Sequence, residues 1–494
     1  MDEFTLGVVS TFAVVGIFAG AILVGKKEDK SLLRQLKKFF DVDPRKQTAT
    51  SKTFQGIDLP NVHLSIGKFA DKHNGTVKVI GHGGYGLKYL NTDIGVPQSQ
   101  AAAIQYESID IGVNERLQVP RNGIYLLSCD KGKLALDVHV HYEGAQSFEL
   151  ILLSNNSTLN GEVLEEIREL VGTESVFKGK ILSIEGEQPT ADVAGFMRVR
   201  FHEFAKVTKE QIILPEKTLS LIERNVTTFY KHTDALRKAG KSLKRGVLFY
   251  GKPGTGKTFT AKYLSQELAG VTVFLLSGEQ LWLIKEAFAL ARLLAPSLVI
   301  MEDVDLIAHS RDATLGQTIL HQLLNELDGL TRETEVIFLL TTNRPEVLEP
   351  ALSLRPGRID QAIKFPLPDA SCRQRLIEQY AEGVALSVKD MAKLVDRTEG
   401  ASPAFIQELM RKSALFAADG DSYQNGSRDS GATDGDSKVG AILGDATNGD
   451  APTDDDRLLL VKDEHMQAAL DELLLTGSLT RALVGFHTRK SENE

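Results

Sequence analysis

Apolar residues are spaced in several distinct ways along this chain, and the spacing divides it. From residue 4 to residue 25 they are nearly continuous, broken only by Thr5, Ser10 and Thr11. At about 1.5 Å per residue such a helix covers a hydrocarbon core of about 30 Å, so the pattern predicts a single transmembrane anchor over residues 1–25. A cleaved signal peptide would need a basic start and a short apolar core, whereas this chain begins Met1-Asp2-Glu3 and leaves the run at Lys26-Lys27. Gly16 and Gly20 have the spacing that lets spans pack closely, and a plain anchor reads equally from them. Lys26, Lys27, Lys30, Arg34, Lys37 and Lys38 follow the run, which by the positive-inside rule places the remainder on the cytoplasmic side of a membrane.

The next stretch, residues 26–55, is polar and reads as a juxtamembrane linker. Short alternating or apolar runs at residues 76–80, 123–129, 133–141, 147–153, 179–185 and 196–204, around a helical pattern near 162–171, predict a mixed α/β domain over 56–210. Pro215 opens an amphipathic pattern through Leu219, Ile222, Val226 and Phe229 to Gly240, which predicts one long helix. Apolar strands at 246–250, 297–301 and 336–340 then alternate with helical segments, the pattern of an α/β core over 211–370. A helical segment follows over 371–418, and 458–494 returns to helix after an interruption. The interruption, residues 419–457, is rich in Asp and Gly, carries Asp-Gly-Asp-Ser at 419–422 and 434–437, and contains almost no large apolar side chains, which predicts a disordered insert. Its acidic residues do not repeat at the spacing of a Ca²⁺ loop.

Composition changes this picture little. At 42% hydrophobic and 25% charged residues the chain can build packed cores. The formal charge of −9 disfavours a nucleic-acid-coating role, and ten Asp in the insert against Arg428, Lys438 and Arg457 supply most of it. Two distant cysteines, Cys129 and Cys372, suggest neither a disulfide framework nor a zinc knuckle.

Candidate chemistry begins after the strand at 246–250. Gly251-Lys252-Pro253-Gly254-Thr255-Gly256-Lys257-Thr258, followed by Phe259 and a helical pattern, is a G-x-x-x-x-G-K-T phosphate loop. Glycines let successive N–H groups turn inward around anionic oxygens. Lys257 would reach the β- and γ-phosphates of ATP, and the Thr258 hydroxyl would sit on Mg²⁺. The strand at 297–301 ends in Glu302-Asp303-Val304-Asp305, where one carboxylate can place a metal and the next polarise a water, with Asp305 supporting the local turn. Taken alone, such acids are as readily a solvated strand end. The strand at 336–340 runs into Thr341-Thr342-Asn343-Arg344-Pro345, where Asn343 can hold water and phosphate at once or simply make a turn. Arg355 and Arg358 offer guanidinium forks suited to phosphoryl transfer when they come from a neighbouring subunit.

These motifs, with Leu323-Leu324-Asn325-Glu326-Leu327-Asp328-Gly329-Leu330 and Leu354-Arg355-Pro356-Gly357-Arg358-Ile359-Asp360, resemble the AAA ATPases over about residues 210–418 and the last helix. The resemblance implies a P-loop doubly wound parallel sheet with a small helical lid, ATP and Mg²⁺ bound between subunits, and a homo-oligomeric, usually hexameric, ring. It gives Lys257 and Thr258 to phosphate and Mg²⁺, Asn343 to a sensor role, and Arg355 and Arg358 to fingers. An extra residue at Ser353-Leu354 leaves open which arginine meets phosphate. The acids stand in the order Glu302 then Asp303, as in the membrane-anchored mitochondrial translocase of the Rieske protein, rather than Asp then Glu. By alignment Glu302 takes the metal side and Asp303 the water side, and the exchange of one methylene implies slow hydrolysis. Ala401-Ser402-Pro403-Ala404 stands where the family's second sensor lies. Between Leu281 and Ala291 the family's aromatic-Gly pore loop is missing, leaving Trp282 as core or pore contact. Together these imply a membrane-anchored ATPase that remodels or moves a protein client, against the alternative of a nucleotide-gated oligomeric scaffold with little turnover.

Three other patterns carry less. Residues 81–86 fit G-x-G-x-x-G after a strand, but no helix follows, so a glycine-rich turn is expected. Asp137, His139, His141 and Glu143 alternate along one strand face and read as a solvated face or a metal site. His202-Glu203 lacks the second His of a zinc-protease helix, which argues against the membrane-anchored AAA zinc proteases as a close likeness.

Overall fold

The computed structural model describes residues 32–83, 86–88, 90, 100–140, 147–186, 197–309, 313–346, 358–426 and 458–475. Among these no helix is long and apolar enough to cross a membrane. The expected anchor, residues 1–25, lies outside them, as does most of the expected insert, residues 427–457. The chain divides into two compact units, residues 1–178 with 185–201, and residues 179–184 with 202–494.

The first unit is built on a six-stranded antiparallel sheet in the order β1-β8-β7-β6-β2-β3. Its strands are β1 (Thr48–Gln55), β2 (Thr76–His82), β3 (Ala101–Ala102), β6 (Gly123–Cys129), β7 (Gly132–Val140) and β8 (Ser147–Ser154), and β4 (Tyr106–Asp110) and β5 (Arg116–Pro120) form a separate hairpin. Alternate residues point to opposite faces of a sheet. On one face Tyr125, Leu127, Leu134, Leu136, Val138, Phe148 and Leu150 are buried with the helices Leu59–Lys72 and Ser157–Thr173. On the other, Ile124, Leu126, Ala135 and Ile151 are buried with Leu32, Leu36 and Phe40 of the helix Leu32–Phe40. Residues 32–55 are therefore part of a folded unit and not a linker. That second burial also corrects the reading of Asp137: it is fully buried, accepts the Leu87 N–H at 2.7 Å and lies 3.3 Å from His82 Nε2. Among the described residues no cluster of three metal-ligating side chains exists, and His141 and Glu143 lie outside them.

The second unit carries a parallel sheet in the order β9-β12-β13-β14-β11-β15. Its strands are β9 (Ile181–Gly186, the part through residue 184), β11 (Arg245–Tyr250), β12 (Thr272–Leu276), β13 (Ser297–Met301), β14 (Val336–Thr342) and β15 (Gln361–Lys364), while β10 (Met197–His202) falls almost wholly in the first unit. The central strands are buried throughout and mostly apolar, as strands covered on both faces are. Residues 179–184, assigned from sequence to the preceding domain, belong here because β9 pairs with β12. The helix expected over 215–240 is instead three, Glu216–Asn225, Thr227–Lys231 and Thr233–Lys238. Asn225 Nδ2 donates to the Leu221 carbonyl at 2.7 Å and Thr227 to the Glu223 carbonyl at 2.9 Å, so side chains compete with the backbone ladder at the break.

The lid packs the helices Ala370–Tyr380, Met391–Arg397, Pro403–Gly426 and Asp463–Leu475 around Leu376, Phe405, Ile406, Leu409 and Leu470. Two short strands, β16 (Val384–Ser387) and β17 (Leu459–Lys462), pair in parallel and return the chain to the lid after residues 427–457. The helix from Pro403 runs past residue 419, where the insert was expected to begin.

Candidate active site

Sheet order decides which side chains meet. β14 lies between β13 and β11, so the chain segments leaving their C-terminal ends stand side by side in the order acids, sensor, phosphate loop. β11 feeds the loop, whose path depends on glycine at two points. Gly251 has φ +152°, and a Cβ there would lie 2.3 Å from the Phe365 carbonyl oxygen. Gly256 takes φ +95° as the residue before the helix Lys257–Glu267, a conformation that disfavours side chains. Within the loop, Thr255 turns inward, 1% exposed, and its hydroxyl donates to the Lys252 carbonyl at 2.8 Å. Thr255 thus braces the loop through its side chain.

A cavity of about 520 Å³ opens at this loop. Pro253 to Thr260, Asp303 and Asn343 line it on the core side; Ile213, Leu376, Gln379, Tyr380 and Gln407 line it from the preceding segment and the lid. Thr258 and Phe259 are exposed toward it, Phe259 at 40%. The lid residues carry no sequence motif, since helices distant along the chain bring them together.

Lys257 is buried, and its ammonium donates to the carbonyls of Gly251 at 2.8 Å and Lys252 at 3.1 Å and to Asn343 Oδ1 at 2.8 Å. Burial pushes its pKa down to about 8, opposed by the nearby charges of Asp303 and Asp305. Asn343 Nδ2 in turn donates to Asp303 Oδ1 at 3.1 Å. One amide therefore joins the loop lysine to the acid. Asp303 has φ +50°, a left-handed backbone unusual for a non-glycine residue, and its N–H donates to Thr341 Oγ1 at 3.1 Å. Glu302, the expected metal-side acid, is half-buried at the strand end with its N–H on the Leu276 carbonyl, and it is not among the residues lining the cavity.

Arg358 departs from expectation. Its side chain is 7% exposed, and Nε and Nη2 grip the two Asp328 carboxylate oxygens at 3.1 and 2.8 Å within its own subunit. A guanidinium held this way is an internal brace and not a finger offered to a neighbour. Arg355 lies outside the described residues. At the second-sensor position, Ser402 is fully buried and caps the lid helix by accepting the Phe405 N–H at 3.2 Å, while the Ala404 N–H donates to the Gly254 carbonyl at 3.2 Å. Backbone contact ties lid to loop there. In place of a pore loop, Gly278–Leu283 forms a short 3₁₀ turn with Leu281 and Leu283 buried and Trp282 half-buried.

Comparison with known proteins agrees with this geometry. Residues 247–367 match the family described as ATPase family associated with various cellular activities (AAA). The chain is similar to the ATP-dependent zinc metalloprotease FtsH 1 of Sphaerobacter thermophilus, 32% identical over 283 residues, 53% of this chain and 40% of that protein. It is also similar to the proteasome-activating nucleotidase of Pyrococcus horikoshii, 31% identical over 260 residues, 50% of this chain and 65% of that protein. With FtsH 2 of Symbiobacterium thermophilum it shares 37% identity over 209 residues, 39% of this chain and 35% of that protein. The chain spans less than half the length of the metalloproteases it matches. The loop from Gly251, the acids after β13 and the sensor after β14 all fall inside the matched span, and the chain carries an AAA ATPase domain.

Proposed function

We propose that the protein is a Mg²⁺-dependent ATP hydrolase that works as a homo-oligomeric ring, tethered to a membrane by residues 4–25 with its ATPase part on the cytoplasmic side, and that it remodels or moves a protein client. The single observation carrying the catalytic part is the bridge Lys257–Asn343–Asp303 in the lining of the cavity. A cation held against two carbonyls and an amide oxygen can exchange those acceptors for phosphate oxygens. The glycine cradle and the cavity's volume fit a nucleoside triphosphate.

Each residue then has a task. Lys257 and the loop N–H groups orient the terminal phosphates; Asn343 fixes the attacking water's position; Asp303 accepts its proton. Thr258 and Glu302 would hold Mg²⁺, which when bound neutralises charge on the phosphate oxygens. Arg355 from an adjoining subunit would meet the charge that develops on the transferred group. The ring follows from that need, and is consistent with the AAA match.

The protein-directed role is supported by the relatives themselves, a zinc metalloprotease and a proteasome-activating nucleotidase. The turn at Gly278–Leu283, with its buried leucines, favours moving or remodelling a folded client over threading, in the manner of the Rieske-protein translocase that the Glu302-Asp303 order resembles. The same order and the left-handed Asp303 favour one alternative, a nucleotide-gated membrane scaffold with little turnover. Phosphate release by the purified full chain separates the two. ATP hydrolysis abolished by Lys257→Ala and by Asp303→Asn, with ATP still bound by the latter, supports the hydrolase. Tight ATP binding with release no faster than in Lys257→Ala supports the scaffold.

A further inference from the structure

The third acid of the Glu302–Asp305 run has a defined place that the site description leaves unused. Asp305 lies just beyond β13 in the 3₁₀ turn Val304–His309 and is 7% exposed. Its Oδ1 accepts the Thr342 hydroxyl at 2.8 Å and the Asn343 N–H at 3.2 Å. Thr342, fully buried, in turn accepts the Arg344 N–H at 2.9 Å. Two consecutive backbone groups around Asn343 are therefore pinned through one carboxylate.

The need for such a pin follows from the register. β13 and β14 pair from Ser297↔Val336 to Met301↔Leu340, and there their ladder stops. Beyond it the left-handed Asp303 turns the acid segment away. Residues 341–343 then face that segment without ladder bonds to it, and side chains replace them. The Asp303 N–H reaches Thr341 Oγ1, and Asp305 takes the Thr342 hydroxyl and the Asn343 N–H. Two hydrogen bonds to one buried carboxylate oxygen hold this segment more tightly than either bond alone.

We propose that Asp305 is a positioning residue: it holds the end of β14 so that the Asn343 amide sits between Lys257 and Asp303, and its contribution to turnover passes through Asn343. This rests on the hydrolase function proposed above. Misplacing a reacting group by about 1 Å can cost about 100-fold in rate, so loss of the pin is felt in the chemical step more than in nucleotide binding.

The test uses the full chain at neutral pH, with steady-state phosphate release and, separately, equilibrium binding of a fluorescent non-hydrolysable ATP analogue. Asp305→Ala is expected to lower kcat about 10- to 100-fold while KM and analogue affinity change less than about threefold. Asp305→Asn keeps an acceptor oxygen in place and is expected to recover most of that loss. Thr342→Val removes one of the two bonds and is expected to give an intermediate kcat, and the Asp305→Ala/Thr342→Val pair to be no worse than Asp305→Ala alone, because both act on one pin. The proposal is overturned by an unchanged kcat in Asp305→Ala, by analogue affinity falling in step with kcat, or by additive losses in the pair. Should Asp305→Ala fail to fold, Thr342→Val decides by the same split: lower kcat at constant affinity supports the pin, and unchanged kcat refutes it. Wild-type release no faster than in Lys257→Ala defeats the hydrolase reading and this proposal with it; normal wild-type release with an indifferent Asp305→Ala defeats this proposal alone.

Discussion

Lys257 makes nucleotide affinity depend on alkaline pH in a way that can be worked out from its surroundings. Its amine is buried and held down to about 8, with Asp303 and Asp305 pulling the other way. Bound phosphate adds negative charge beside the ammonium and favours its protonated form, so nucleotide binding takes up a proton wherever the free site has lost one. The sign is fixed: affinity is flat below the free-site value and falls as pH rises through it. With a free-site value of about 8, the protonated fraction drops from about three quarters at pH 7.5 to about 3% at pH 9.5, so affinity for an ATP analogue should weaken roughly 25-fold. The γ-phosphate itself titrates below this window, near pH 6 to 7, and stays ionised throughout. Fluorescence anisotropy of a labelled analogue with the full chain, at constant ionic strength, reads the curve. Lys257→Arg, whose guanidinium stays charged, should flatten it. Asp303→Asn removes an opposing charge and should move the midpoint to lower pH. A flat wild-type curve over this range, or the same slope in Lys257→Arg, would refute the mechanism.

Other consequences follow from single contacts. Gly251→Ala places a Cβ 2.3 Å from the Phe365 carbonyl, so the loop must shift and analogue binding should fall more than about tenfold, while strain of about 1–3 kcal/mol lowers thermal stability. Arg358→Ala leaves Asp328 without its fork and should destabilise the second unit by about 1–3 kcal/mol in a melting experiment, whereas Arg355→Ala should spare stability and ATP binding but cut turnover by about 1,000-fold. Burial raises Asp58 to about 7, and among the described residues its Oδ1 has no hydrogen-bond partner, as is also the case for Asn61 Nδ2 and Gln55 Oε1. The folded state therefore binds more protons than the unfolded state between about pH 4 and 7, and stability of the first unit should decline as pH rises through that window, by a few kcal/mol at most. Asp58→Asn should remove the decline, as read by hydrogen exchange of the helix Leu59–Lys72 at about pH 5 and pH 8; an identical decline in the variant would show that another group is responsible.

Much of the second unit was legible because its chemistry is local. Glycines, Lys257 and Thr258 are contiguous, and an apolar strand ending in acids or in Thr341-Thr342-Asn343 marks a sheet's C-terminal edge without knowledge of the rest. What escaped depends on distant partners. β1 reads Thr-Ala-Thr-Ser-Lys-Thr-Phe-Gln, and as an edge strand it buries only Phe54, so its polar pattern resembles a linker. Asp137 alternates with buried residues as an exposed one would, yet the helix Leu32–Phe40 covers that face. Arg358 sits in a run that matches its family, but Asp328, which holds it, lies 30 residues away. The break near Val226 had a local signal in Asn225 and Thr227, whose side chains bond back to carbonyls, and amphipathic spacing overrode it.

The strand order gives Asn343 a further consequence. Because β14 lies between β11 and β13, a short side chain at its end reaches both the loop and the acid. The amide oxygen accepts from Lys257 and the NH₂ donates to Asp303, so on the proposed function a bound phosphate would compete with Asn343 for the ammonium. Once Lys257 turns to phosphate, the amide oxygen is released and can accept a hydrogen bond from water, with Asp303 held on the other side of the same planar group. On the function proposed above, a single amide would make occupancy of the phosphate loop a condition for assembling the water-activating pair, provided the Asn343 backbone stays fixed while its side chain changes partners. Asp305 and Thr342, both buried and bonded to that backbone segment, supply the fixed point.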